Sequence, residues 1–416
     1  MTSIRFISGG VTASAGFQAA SAAAGIKYQG RTDMTMVFSA SPCAVGAVFT
    51  SNRVKAAPVQ WDKSLLEANP TAQAIVVNSG IANAATGEPG LAQCKETAEH
   101  VSQILGIPAA SVYIGSTGVI GPVLPMDRLK AGVNTLASSL SDTEEAGTAA
   151  ARAIMTTDTV SKECAVAFDL PAADGSGTVT VHLGGMSKGS GMIHPNMCTM
   201  LAYLTTDCAI PQPLLQRAVS DVVQDTFNMI SVDGDTSTND TLLVLANGAA
   251  ENLPISDADG SYAVFREALF QVCRSLAIRM AADGEGATHL MEVRVLRADS
   301  KENARILARS VVSSSLVKAM IFGRDANCGR ILCALGYAGP AFDLNSLEVY
   351  LEGKPSRVCF YRDGRVQSFD EDLALSLLSL PTVTLTCDLG MGFEEATAWG
   401  CDLTYDYVKI NGDYRT

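Results

Sequence analysis

The chain has 416 residues, of which 47% are hydrophobic and 18% charged. That is the composition of an ordinary globular protein with room for two or three domains, and it argues against extensive disorder. With 43 acidic against 30 basic residues the net charge is −13, and no Lys or Arg cluster stands out, so nucleic acid and anionic membrane surfaces are excluded as partners.

The N-terminal MTSIRFISGGVTASAGF lacks the apolar core of a secretory signal, and no apolar run reaches the roughly 18 residues of a membrane span. Met34 to Phe38, Val45 to Phe49 and Ala74 to Val77 are β-branched and apolar enough for strands. Pro89 to Leu105 places Leu91, Cys94, Ala98, Val101 and Leu105 on one helical face. Pro125-Met126-Asp127 opens a helix towards Leu140, and Ser141-Asp142 can cap another running through Glu144 to Met155. Helical stripes recur from Pro213 to Met229 and along Phe265, Leu269, Val272, Leu276 and Met280.

From Glu285 onward the pattern changes. His289 to Val295 reads as a strand, and a helix follows from about Glu302 to Met320. Leu347 to Leu351 and Val358 to Tyr361 suggest a hairpin around Gly353-Lys354, with Thr382 to Thr386 and Thr397 to Tyr407 as further strands. The whole is α+β, with a smaller C-terminal domain from about residue 290. Eleven cysteines without CxxC pairing imply reduced thiols in a cytoplasmic type of compartment.

Four histidines, no GxSxG, no HExxH and no GxxxxGK[ST] leave little support for a Ser-His-Asp hydrolase, a zincin or a P-loop enzyme. Asp233-Gly-Asp235-Thr-Ser237-Thr-Asn239-Asp240 has the look of a calcium loop. Its turn position is Thr238 rather than Gly, and its twelfth position is Val244 rather than Glu.

One chemistry needs no histidine. A threonine at a new N-terminus carries its own base, since an α-amine titrates near pH 8. KGSGMIHPNMCTMLAYLTTD, from Lys188, places Thr199 after Cys198 in a run of Gly, Met and small residues. Attack of the Thr199 hydroxyl on the Cys198 carbonyl would free such an amine. On residue chemistry alone, though, Thr199 reads as one more hydroxyl in an apolar segment.

KGSGMIHPNMCTML is similar to the self-cleavage segment of the ornithine acetyltransferase (glutamate N-acetyltransferase, ArgJ) family. Further blocks resemble family segments in family order: GGVTASAGFQAA, VFTSNRVKAAPV, VNSGIANAATG, GSTGVIGPVLPM, IMTTDT, DGDTSTNDT, DGEGATHLMEVRV, SSLVKAMIFGRDANCGRI and CDLTYDYVKINGDYRT. The resemblance implies an αββα sandwich of the DmpA/ArgJ type, cut between Cys198 and Thr199 into an α chain (1–198) and a β chain (199–416). It implies acetyl transfer from N-acetylornithine to glutamate through an acetyl ester on Thr199, within arginine biosynthesis, without metal or cofactor. Thr117 and Gly118 match the oxyanion pair. Thr156, Lys188, Thr199, Glu285, Asn411 and Thr416 match substrate contacts, with Thr157 beside Thr156 as a near alternative. Two α and two β fragments would form a heterotetramer.

The chain departs from the usual family residues at Cys198 (Ala), Ile81 (Asn), His289 (Lys) and Cys328 (Trp). Use of acetyl-CoA, a specialised acyl acceptor, a β-aminopeptidase-like hydrolase and a non-catalytic amino-acid binder stay open at this stage.

Overall fold

A computed structural model describes residues 4–194, 200–257 and 260–413. Among these, nine strands form a first sheet: β1 (Arg5–Ile7), β2 (Phe17–Ala22), β3 (Met34–Phe49), β4 (Thr71–Ile81), β5 (Val112–Val119), β6 (Lys162–Pro171), β7 (Thr178–Lys188), β8 (Leu201–Thr206) and, after the short β9 (Ile230–Ser231), β10 (Thr241–Ala246). They hydrogen-bond in the order β1-β6-β7-β8-β10-β3-β4-β5, with β2 also on β3. The segments 34–38 and 45–49 belong to one strand. Pro42 has no N–H to give the ladder, so the register with β4 slips between Phe38 and Cys43 and the strand continues beyond.

The sheet folds back on itself. Tyr203 of β8 and Gly115 of β5 are separated by three intervening strands, yet a Cβ on Gly115 would lie 1.9 Å from the Tyr203 hydroxyl. The two halves enclose a core that includes Val37, Val45, Ile75, Val77, Leu243 and Leu245. Each buried side chain of this kind is worth about 1.5–3 kcal/mol.

Helices cover the outer faces. On one side lie α1 (Ala57–Ala68), α2 (Gly87–Leu105) and α3 (Met126–Ser138), whose Val101 and Val133 meet Met36 and Val76. The short α4 (Glu144–Ala153) packs on β2; its cap is Thr143, whose Oγ1 accepts from Ala146 N, rather than Ser141-Asp142. On the other side lie α5 (Gln212–Val223) and α6 (Ser261–Ala282). Helix, half-sheet, half-sheet, helix is an αββα sandwich, and the fold is α+β.

Helix α6 is buried around much of its circumference, with Ala268, Cys273, Ala277 and Ala281 as well as the apolar stripe. It contacts the first sheet through β6 and β7 and a second sheet through β16 (Glu394–Cys401). That second sheet also holds β11 (Leu290–Ala298), β12 (Glu348–Gly353), β13 (Ser356–Arg362), β14 (Arg365–Val366) and β15 (Thr382–Asp388), with β9 at its edge. The expected helix from Glu302 is two: Ser314 ends α7 (Lys301–Ser313) and its hydroxyl caps α8 (Ser315–Gly323). Two further helices, α9 (Cys328–Gly336) and α10 (Glu371–Leu378), flank the sheet.

The strand expected over 397–407 stops at Cys401. Thr404 Oγ1 then accepts from Tyr407 N and starts the terminal helix α11 (Tyr405–Asp413). Likewise the helix expected to reach Met229 ends at Val223, giving way to a 3-10 turn at 227–229. The ten described cysteines form no disulfide. Among the described residues no single helix is long and apolar enough to cross a membrane.

Candidate active site

The C-terminal ends of β4, β5 and β7 meet the N-terminal ends of β8 and β10 at one end of the sandwich. A cavity of about 300 Å³ opens there. Thr117, Gly118, Thr156, Lys188, Glu285 and Asn411 all line it, and so does Thr157. Cys198, Thr199 and Thr416 lie outside the described residues. Of the departures, Ile81, His289 and Cys328 are not part of the cavity wall.

Backbone geometry explains why glycine stands at 118. Its φ is +124°, and a Cβ there would lie 2.3 Å from the carbonyl carbon of Gly80. Gly80 is itself at φ +103°, with Lys27 packed on it. The ends of β4 and β5 thus touch backbone to backbone, which no side chain permits. Gly118→Ala is expected to lower the melting temperature and, if its N–H serves the oxyanion as the resemblance implies, kcat about 100-fold, since the substitution displaces the backbone there. Steady-state kinetics beside thermal melting checks this.

Lys188 is the buried cation of the cavity. Its Nζ donates to Thr156 Oγ1 at 2.8 Å and to Thr117 Oγ1 at 3.3 Å. Because Thr117 accepts from the ammonium, its own O–H is left to donate into the cavity. Burial pushes the Lys188 pKa down, opposed by the fields of Asp158, Glu285 and Asp240. Thr156, not Thr157, is the one bonded to Lys188; Thr157 Oγ1 instead shares a 2.7 Å hydrogen bond with Ser190.

A buried ionic cluster beneath the cavity holds these loops together. Asp158 Oδ1 accepts from Lys162 Nζ and from Gly189 N, both at 2.7 Å, and Oδ2 accepts from Thr156 N at 3.1 Å. Burial alone would raise the Asp158 carboxyl, but Lys188 and Lys162 outweigh it and hold the pKa at about 2. Lys162 Nζ also donates to Asp283 at 2.6 Å, at the C-terminal end of α6. Two residues on, Glu285 N donates to Ser190 O at 2.9 Å, and its Oε2 accepts from Asn411 Nδ2 at 2.8 Å. Gly191 packs against the Glu285 carboxyl so closely that a Cβ there would lie 2.4 Å away.

The loop 237–240 closes the remaining side. Asn239 Nδ2 donates to Ala82 O at 2.6 Å and Ser116 O at 2.8 Å, clamping the loop to β4 and β5. Asp240, almost fully buried, has its carboxyl pushed well up by desolvation. Together with Met200, Thr117 and Lys188 it borders a smaller adjoining cavity. Asp233, first position of the calcium-like run, accepts from Met192 N at 2.6 Å and Ile193 N at 2.9 Å. That acid anchors backbone.

Asp158, Lys162, Asp283, Asn239 and Asp240 were not singled out from sequence as site residues. The available signal was the i,i+4 pair Asp158/Lys162, of which only Asp158 falls in a quoted block (IMTTDT), and that spacing ordinarily means a surface pair on a helix.

The chain is similar to known proteins over nearly its whole length. A model of the ArgJ family matches residues 18–416. The "Arginine biosynthesis bifunctional protein ArgJ" of Symbiobacterium thermophilum is 49% identical over 415 residues, covering 99% of this chain and 100% of that one. Its namesake in Bacillus subtilis is 41% identical over 413 residues, covering 99% and 97%. A crystal structure of the argJ protein from Bacillus halodurans superposes with TM-score 0.49 at 41% identity, over 51% of this chain and 98% of that one. An identity of 49% over essentially the full length of both sequences, with the family model matching residues 18–416, makes the chain a member of the ArgJ family.

Proposed function

We propose that this chain is a self-cleaving acetyltransferase that moves acetyl from N2-acetylornithine to glutamate by way of Thr199. The observation that carries the reading is the convergence of Thr117, Gly118, Thr156, Lys188, Glu285 and Asn411 on one cavity from distant parts of the sequence. Met200, which follows Thr199 in sequence, borders the adjoining cavity with Thr117 and Lys188.

In the maturation step the Thr199 hydroxyl attacks the Cys198 carbonyl, the acyl group shifts from N to O, and water hydrolyses the ester. Fragments 1–198 and 199–416 result, two of each forming the working assembly. The freed α-amine is a base matched to neutral pH.

In transfer, that amine takes the Thr199 hydroxyl proton as the oxygen attacks the acetamide carbonyl. The tetrahedral oxyanion meets the Thr117 O–H and the Gly118 N–H, and Lys188 beside Thr117 adds positive field. The ornithine nitrogen leaves with the proton returned by the α-ammonium, and acetyl stays as an ester on Thr199. The amine of glutamate then attacks the ester and gives up a proton to the α-amine. The bond from the acetyl carbon to the Thr199 oxygen breaks, the α-ammonium returns the proton to that oxygen, and N-acetylglutamate departs. Acetyl-CoA would load the same ester. Lys188 grips the shared α-carboxylate; Glu285, steadied by Asn411, receives the ornithine δ-ammonium.

N-acetylornithine alone should release about one equivalent of ornithine per active site in a burst, with turnover restored by glutamate. Sustained ornithine and acetate production without glutamate would instead support a β-aminopeptidase-like hydrolase. Glu285→Gln should raise the KM for N-acetylornithine about tenfold or more, as steady-state kinetics will measure.

A further inference from the structure

Lys188 is a costly residue to bury. Only 9% of it is exposed, and desolvation pulls its ammonium towards the neutral form. Its hydrogen bonds do little to offset this, because Thr156 Oγ1 and Thr117 Oγ1 are uncharged acceptors. Among the described residues no carboxylate is bonded to its Nζ, and the third N–H has no partner there, which leaves it to a ligand.

Four charged groups face this lysine. Asp158 exerts the largest opposing field, Lys162 works against it, and Glu285 and Asp240 add to it. The three acids are not equivalent. Desolvation pushes the Asp240 carboxyl well up, so it is a poor anion. Glu285 faces the cavity, where Asn411 holds it and the ornithine ammonium is to be received. Asp158 is buried and still ionised, with its pKa at about 2.

The same carboxylate also fixes the geometry. Its Oδ1 accepts at 2.7 Å from the N–H of Gly189, the residue directly after Lys188. Its Oδ2 accepts at 3.1 Å from the N–H of Thr156, whose hydroxyl receives the lysine. Asp158 therefore holds the backbone at both partners of the Lys188–Thr156 bond. Lys162 Nζ, 2.7 Å from Asp158 and 2.6 Å from Asp283, keeps the carboxylate from turning away.

We infer that Asp158 is a positioning residue for substrate recognition, which keeps Lys188 cationic and aimed at the α-carboxylate from a fixed place behind it. The inference rests on the transferase reading and adds what maintains that grip at neutral pH.

A pair of substrates isolates the grip. N-acetyl-1,4-diaminobutane is N-acetylornithine without its α-carboxylate, and the parent enzyme should use it at least about 100-fold less well by kcat/KM. Asp158→Asn leaves Lys162 paired with Asp283. At about pH 8 it should raise the N-acetylornithine concentration that half-saturates the ornithine burst about tenfold or more. Use of the carboxylate-free analogue should change by less than about threefold.

Loss of an anion beside an ammonium lowers its pKa, so in Asp158→Asn that concentration should begin to rise at a pH at least about one unit below the parent's. Adding Lys188→Arg should abolish this pH dependence, since a guanidinium stays charged. Asp158→Glu keeps the anion on a longer arm. It should weaken binding with the pH midpoint within about half a unit of the parent's, and it carries the charge test if Asp158→Asn fails to fold. An equal fall for both substrates in Asp158→Asn, an unshifted pH profile there, or a midpoint about one unit lower in Asp158→Glu overturns the inference. Equal use of the two substrates by the parent enzyme instead overturns the role that the transferase reading gives Lys188, before any variant is made.

Discussion

Thr199→Ala is expected to leave one uncut chain and to lower transfer by about 10⁴-fold or more. The size follows from the number of roles lost together. Without the hydroxyl there is no N-to-O shift, so no new amine; without the amine there is no base; without the oxygen there is no acetyl ester. Such roles act as a unit, and removing one removes all. Cys198→Ala makes the contrast, because in the proposed cut only the carbonyl of residue 198 takes part. It should still be cut and still turn over, with denaturing gels and ornithine release as the readouts. A Thr199→Ala protein that appears as two fragments, or that transfers at the parental rate, contradicts the assignment.

The second large effect is on stability. Lys162 is fully buried and donates to two carboxylates, Asp158 and Asp283, that face little or no solvent. Lys162→Met removes the charge and strands both acids, at about 3–5 kcal/mol for breaking a buried pair. The cluster also holds Gly189 and Thr156 through Asp158, and the turn before Glu285 through Asp283. Activity should therefore fall with stability.

The pH dependence has a definite sign. The Asp158 carboxyl is held at about 2, below its ordinary value near 3.8. Its stabilising contribution is thus complete above pH about 4 and is lost as pH falls towards about 2. In Lys162→Met one of the two lysines that hold the carboxyl down is gone, so acid unfolding should begin at higher pH. Urea titrations at a series of pH values read both effects. An acid limb unchanged from the parent would mean that Asp158 does not depend on Lys162.

Much of the fold was legible where one face repeats cleanly, as along Cys94, Ala98 and Val101 of α2 or Leu129, Val133 and Leu136 of α3. It was illegible where a single residue redirects the chain. Pro42 makes one strand look like two, Ser314 makes two helices look like one, and Thr404 turns strand into helix within three residues of Cys401. Helix α6 gave its position but not its surroundings, because periodicity does not say that a second sheet covers the remaining face.

For the site, residue chemistry and family likeness contributed unequally. Thr117, Thr156 and Lys188 are ordinary turn or surface residues by composition, and only the resemblance singled them out. What brings them together is the meeting of β5, the loop after α4 and the end of β7, a long-range event that local pattern does not contain. Lys27 and Arg31 illustrate the same limit. In sequence they are two cations in a polar stretch, and they come to line one small cavity only where β4 brings Gly80 against Lys27.

Intact-mass spectrometry of the purified protein, before and after incubation with N-acetylornithine, tests the central claim most directly. The account predicts two masses, for residues 1–198 and 199–416, and after incubation a gain of one acetyl group on the second fragment alone. A single full-length mass in active material, or an acetyl group carried by the first fragment, would contradict it.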